Sequence, residues 1–130
     1  MKLKILPPTI RGPKRYIAFE VISQKSINRD DLVSIIWDSC LKLHGECETS
    51  RFRLWLMRLW TCPSVDQGNN YKNNDFYMKG ILQCNRKDEE KVRAAMCLTH
   101  QYKGKRVVFY TLGLSGTIRS ATQKFIKPRN

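Results

Sequence analysis

The chain has 130 residues, 42% of them hydrophobic and 27% charged, a composition that suits one globular domain and excludes a disordered tail. Against 24 Lys plus Arg stand 11 Asp plus Glu, so the net charge is +13 and the expected partner is a polyanion. There is no apolar run of about 18 residues and the start MKLKILPPTIRG lacks the core of a signal peptide, which excludes a membrane span and suggests an intracellular protein.

The elements follow in chain order. Lys2, Lys4, Arg11, Lys14 and Arg15 come without an acid among them, and Pro7, Pro8, Gly12 and Pro13 break regular structure, so residues 1–13 are expected to be a basic extended arm able to lie along RNA. Residues 14–130 then read as a single α+β domain. KRYIAFEVIS alternates Ile17, Phe19 and Val21 with Tyr16, Ala18 and Ile22, apolar on both faces as in a central strand. Asn28 is the expected N-cap of a helix with Asp30 and Asp31 in its first turn, carrying Leu32, Ile35, Ile36, Cys40 and Leu43 at helical spacing until Gly45.

RFRLWLMRLW, residues 51–60, alternates Phe52, Leu54 and Leu56 with Arg51, Arg53 and Trp55 and is expected to be a second strand. Residues 61–75, polar and Asn-rich, are long for a hairpin connection. FYMKGILQCN gives a third strand, and residues 88–101 a helix with Val92, Ala95, Met96 and Thr99 on one face. Lys103 and Gly104 turn the chain into the fourth strand, KRVVFYTL, and residues 118–126 form a short terminal helix. The order βαββαβ predicts a ferredoxin-like, RRM-like sandwich with an antiparallel sheet, a basic N-terminal arm and a C-terminal helix. Both main helices should cover one sheet face and leave the other available. The third strand lacks the [KR]G[FY][GA]FVx[FY] pattern of base-stacking RRM strands, and Tyr16, Trp55, Tyr77 and Tyr110 read first as packing residues.

Chemistry has few carriers. The five cysteines, Cys40, Cys47, Cys62, Cys84 and Cys97, are odd in number without a CxxC pair, which argues for reduced thiols and against a disulfide framework or zinc ribbon. Cys40, His44 and Cys47 at i, i+4 and i+7 could form a stripe toward a metal but lack a fourth ligand, and free cysteines serve equally as small core residues. A nucleophile such as Ser115 or Cys97 would need a base, and only His44 and His100 are available. In TLGLSGTIRSA, residues 111–121, a strand breaks into glycines, hydroxyls and Arg119. Ser115 or Thr117 can cap the following helix, Gly116 admits close approach, and the segment serves as a plain turn or as an anion site.

Three separated stretches, LPPTIRGPKRYIAFEVIS at 6–23, GILQCNR at 80–86 and GKRVVFYTLGLSGTIRSA at 104–121, resemble the archaeal and eukaryotic ribonuclease P protein component 2 family, whose eukaryotic members are shared with ribonuclease MRP. The resemblance implies a noncatalytic subunit of an RNA-based endonuclease that removes 5′ leaders from precursor tRNA. The RNA would do the chemistry with Mg2+, and this chain would bind no cofactor. It would bind and stabilise the catalytic domain of the ribonuclease P RNA and pair with a TIM-barrel-like protein subunit as a two-plus-two heterotetramer. Other ribonuclease P proteins and precursor tRNA would meet it in the assembled complex. The location implied is cytoplasmic in an archaeon and nuclear or nucleolar in a eukaryote. Carried over by motif, the RNA-contact residues are Arg11, Lys14, Arg15, Tyr16, Ser115, Gly116, Thr117 and Arg119. Residues 61–75 look longer than the family's connection, and the cysteines are not part of its pattern. Two other readings of the residues are a general structured-RNA or DNA binder and a small acyl- or phosphoryl-transfer enzyme using Ser115 or a cysteine.

Overall fold

Strand β1, Lys14–Ser23, has apolar side chains on both of its faces, and in the computed structural model it lies at the centre of the sheet. The structure describes residues 13–62 and 76–126. After β1 come helix α1 (Arg29–His44), a short helix α2 (Glu46–Arg51), strands β2 (Trp55–Cys62) and β3 (Phe76–Asn85), and helix α3 (Glu89–Leu98). The two-residue strand β4 (Gln101–Tyr102), strand β5 (Lys105–Ser115) and helix α4 (Ile118–Ala121) complete the order, with a π-helical turn at Thr122–Ile126. The sheet runs β2-β3-β1-β5-β4 with every pairing antiparallel. This is the α+β, ferredoxin-like arrangement that the element order predicts.

Local chemistry explains the boundaries. Asn28 Oδ1 accepts from the Asp31 N–H at 2.8 Å, and Gly45, at φ 88, donates its N–H to Leu41 O at 2.9 Å and ends α1. Lys103 and Gly104, at φ 52 and 81, form the left-handed pair that a tight hairpin turn requires between β4 and β5. Residues 51–60 depart from the expected strand. Arg51 closes α2 and Arg53 adopts φ 53, so the strand starts only at Trp55. The alternation in RFRLWLMRLW still sorts the side chains correctly, because Phe52, Leu54 and Leu56 are buried while Trp55 is exposed. The helix expected over 88–101 ends at Leu98, with Thr99 as its cap. Thr61 and Cys62, expected in the long connection over 61–75, extend β2 by pairing with β3 instead, while residues 63–75 and most of the basic arm lie outside the described residues.

The pleat of β1 divides the core. Ile17, Phe19 and Val21 face α1 and α3 and pack with Leu32, Ile36, Val92 and Met96. Each such fully buried side chain contributes on the order of 2 kcal/mol. Ala18 faces the other way and packs with Ile81, Ala121 and Ile126, with Tyr16, Leu112 and Phe125 around them. The terminal helix therefore covers part of the sheet face that the sequence reading leaves open. Within ten residues of Gly116 the chain has folded back over the strands it just left, because Ile118, Ala121, Phe125 and Ile126 need an apolar surface and the back of β1 supplies one. Among the described residues no helix is long and apolar enough to cross a membrane.

Gly113 makes this closure feasible. A Cβ there would stand 2.2 Å from Phe125 Cζ, so the ring occupies the space of the missing side chain. Gly113→Ala is expected to destabilise the fold by about 1–3 kcal/mol through overpacking. Thermal denaturation checks this, with Phe125→Leu recovering part of the loss. A wild-type melting temperature for Gly113→Ala would mean that the tail does not pack as described.

Candidate nucleic-acid interface

β1 begins at Lys14 and β5 ends at Ser115, and their antiparallel register sets Tyr16 opposite Ser115 and Ile17 opposite Leu114. Two basic segments from opposite ends of the sequence thus become neighbours. A Cβ on Gly116 would lie 3.1 Å from Arg15 Nη1, so the guanidinium rests against the turn. Arg15 Nε also lies 3.6 Å from Glu89 Oε2 in the first turn of α3. A partly exposed pair of this kind adds at most about 1 kcal/mol, and its main effect is to hold the guanidinium in place. Lys14 pairs opposite Asn85, and Pro13 O accepts from the Arg86 N–H at 3.1 Å, which brings a further cation to the same end of the sheet.

In the turn itself, Thr117 caps α4. Its Oγ1 accepts from the Ser120 N–H at 3.1 Å, and its own N–H donates to Ser115 Oγ at 3.4 Å. Both hydroxyls shape the backbone, and each retains its O–H as a donor. Gly116, Thr117 and Arg119 are exposed. Arg15 and Arg119 carry forked donors of the kind that suit phosphate, and the strand register brings their backbones to the same end of the sheet as Lys14. Tyr16 occupies a different setting. The pleat turns it toward the tail, where it packs half-buried and its hydroxyl donates to Gln83 Oε1 at 3.4 Å. Arg11 lies outside the described residues.

The structure adds cations that the motif comparison does not single out. A polar depression of about 690 Å³ is lined by Arg51, Arg53, Asn85, Asp88 and Lys91 among others, beside the end of β3. Arg53 and Lys87 near it take left-handed backbone, at φ 53 and 84. Lys91 is hydrogen-bonded to Glu48, and this contact holds the Glu48 carboxyl below its usual range and raises the ammonium. The sequence signals were the paired arginines of RFRLW and the arginine closing GILQCNR.

The candidate metal stripe does not form. Gly45 ends α1, so Cys47 sits exposed in α2 while Cys40 is fully buried in the core. His44 packs edge-on against Phe52 at 5.3 Å and its Nε2 meets Lys91 O at 2.9 Å. His100 sits at the far end of β5, where its carbonyl accepts from Val107, eight residues or about 26 Å of strand from Ser115. Burial pushes the thiol of Cys40 up to about 11 and that of Cys84 up to about 12, the latter helped by Glu89 and Asp88. Both are therefore protonated near neutrality. Iodoacetamide at about pH 8 should label Cys47 and Cys97 in the folded chain and reach Cys40 and Cys84 only after unfolding, as read by peptide mass spectrometry.

Comparison with known proteins agrees with this architecture. Residues 15–126 match the Rpp14/Pop5 family. A protein of Methanothermobacter thermautotrophicus named ribonuclease P protein component 2 is 60% identical over 126 residues, covering 97% of this chain and 95% of that one. Proteins of the same name from Methanobrevibacter smithii and Pyrococcus abyssi are 40% and 37% identical, covering 98% and 97% of this chain and 99% and 95% of theirs. With the match running from β1 through the π-helical turn, the chain belongs to the Rpp14/Pop5 family.

Proposed function

We propose that the chain is a protein subunit of ribonuclease P that binds and stabilises the enzyme's RNA during removal of 5′ leaders from precursor tRNA, with no catalytic group of its own. The observation that carries this reading is the register of β1 against β5, which sets Lys14 and Arg15 beside the turn bearing Thr117 and Arg119. The relatives' shared name supports the assignment. Forked and point cations around an exposed glycine turn suit phosphate, and phosphate contacts hold a protein on RNA in a fixed orientation without reading sequence. Bond cleavage then belongs to the RNA with Mg2+. The complex further includes a TIM-barrel-like protein partner, paired two with two, other ribonuclease P proteins and the precursor tRNA. The archaeal sources of the relatives support a cytoplasmic location.

Reconstitution with the cognate RNA and partner proteins tests the assignment. At limiting Mg2+ precursor-tRNA cleavage should require this chain, and undiminished cleavage without it would overturn the reading. Within that complex, Lys14→Ala and Arg119→Ala should each weaken RNA binding and lower the slope of log affinity against log salt by about one unit. An unchanged slope removes that residue from the phosphate site. Equal affinity for duplex DNA at matched salt would favour a general nucleic-acid binder instead.

A further inference from the structure

The tail covers only part of the sheet face behind β1. Strand register defines what lies beyond it. Ala18 sits between Ile81 and Gly113, and these are the positions under the tail. Two residues along β1 on the same face, Glu20 lies between Lys79 of β3 and Tyr110 of β5. Two further on, Ile22 lies between Tyr77 and Val108. The pleat sets Arg106 on this face as well, since Val107 points into the helix-side core. Tyr110 is 49% exposed and Arg106 is exposed. Glu20, the acid of this row, accepts the hydroxyl hydrogen of Tyr77. The hairpin that leads into this face presents Lys103 and Lys105 at its tip, and Gln24 Oε1 fixes its base by accepting from the Arg106 N–H at 2.8 Å.

We propose that this portion of the sheet, Tyr110 with Lys79 and Arg106, is a second RNA site that takes a single-stranded segment. The proposal rests on the RNA-binding reading above and names a surface which that reading does not use. Single-strand binding needs an aromatic face for a base and cations along the backbone path, and the register supplies both within one patch. Charge complementarity selects the occupant, because Lys79 and Arg106 share this face with the Glu20 carboxylate, which is already hydrogen-bonded to Tyr77. The patch centres on Glu20, six residues along β1 from Lys14, about 20 Å of strand away. The chain can therefore engage two separated parts of a folded RNA.

The test uses the full chain and fluorescein-labelled single-stranded RNA of about ten nucleotides, within the span of small single-strand sites. Tyr110→Ala should weaken binding by about tenfold with no change in salt slope, and Tyr110→Phe, which keeps the ring, should restore it. The double variant Lys79→Gln with Arg106→Gln should lower the slope by about 1.4 units, the contribution of two phosphates on a single strand. Unchanged oligonucleotide affinity in Tyr110→Ala would overturn the proposal. The same holds if Tyr110→Ala instead loses only the association with a partner protein subunit in the reconstituted complex, since the face would then be a protein interface. Oligonucleotide binding and precursor-tRNA cleavage are separate readouts, so failure here is distinguishable from failure of the ribonuclease P assignment.

Discussion

The structure depends on a central strand that is buried on both faces. Ile17, Ala18, Phe19 and Val21 are all inaccessible to solvent, and a strand with apolar side chains pointing both ways must have a layer on each side. Two long helices supply one layer. The other comes from the last turns of the chain, and glycine makes room on both sides. Gly80 leaves space for the Phe19 ring, whose Cζ would lie 2.7 Å from any Cβ there, and Gly113 does the same for Phe125. In close-packed interiors a single added carbon is felt, so these two glycines are packing residues and not turn residues.

That packing also disposes the charge. Several acids are drawn into contacts within the protein. Asp31 accepts from Tyr102, Glu20 from Tyr77, Glu48 from Lys91, and Glu89 and Glu90 pair with Arg15 and Arg93. Exposed pairs such as these add little stability. Their consequence is that a chain of net charge +13 presents its surplus cations outward, at the start of β1 beside the α4 turn and at the β4–β5 hairpin. The tail helix separates the two regions on the back of the sheet, since it covers the rows near Ala18 and leaves those near Glu20.

Caps and turns were legible in the sequence because they are local events. Asn28, Gly45 and Lys103-Gly104 act within a few residues of themselves. The candidate site was legible only as two unconnected halves, Lys14 to Tyr16 and Ser115 to Arg119. The contact of Arg15 with Gly116 depends on a register set by the burial of Ile17 and Leu114, and no local pattern encodes it. The strand expected at residues 51–60 failed at its start for a related reason. Phe52 and Leu54 are buried whether the backbone is extended or turning, so the alternation reports burial and not strand geometry. Spacing likewise placed Cys47 on a helical stripe with Cys40, although the glycine between them ends that helix.

By itself the sequence determined the basic character, the order of the main strands and helices, their capping and the two-sided burial of β1, because each follows from side-chain chemistry over short spans, whereas the short helix α2 and the two-residue strand β4 carry no such pattern. Only the tertiary structure decided which sheet surface stays open. That outcome rests on a glycine in one strand meeting a phenylalanine in the tail, a long-range fit of shapes that appears once the strands are in register.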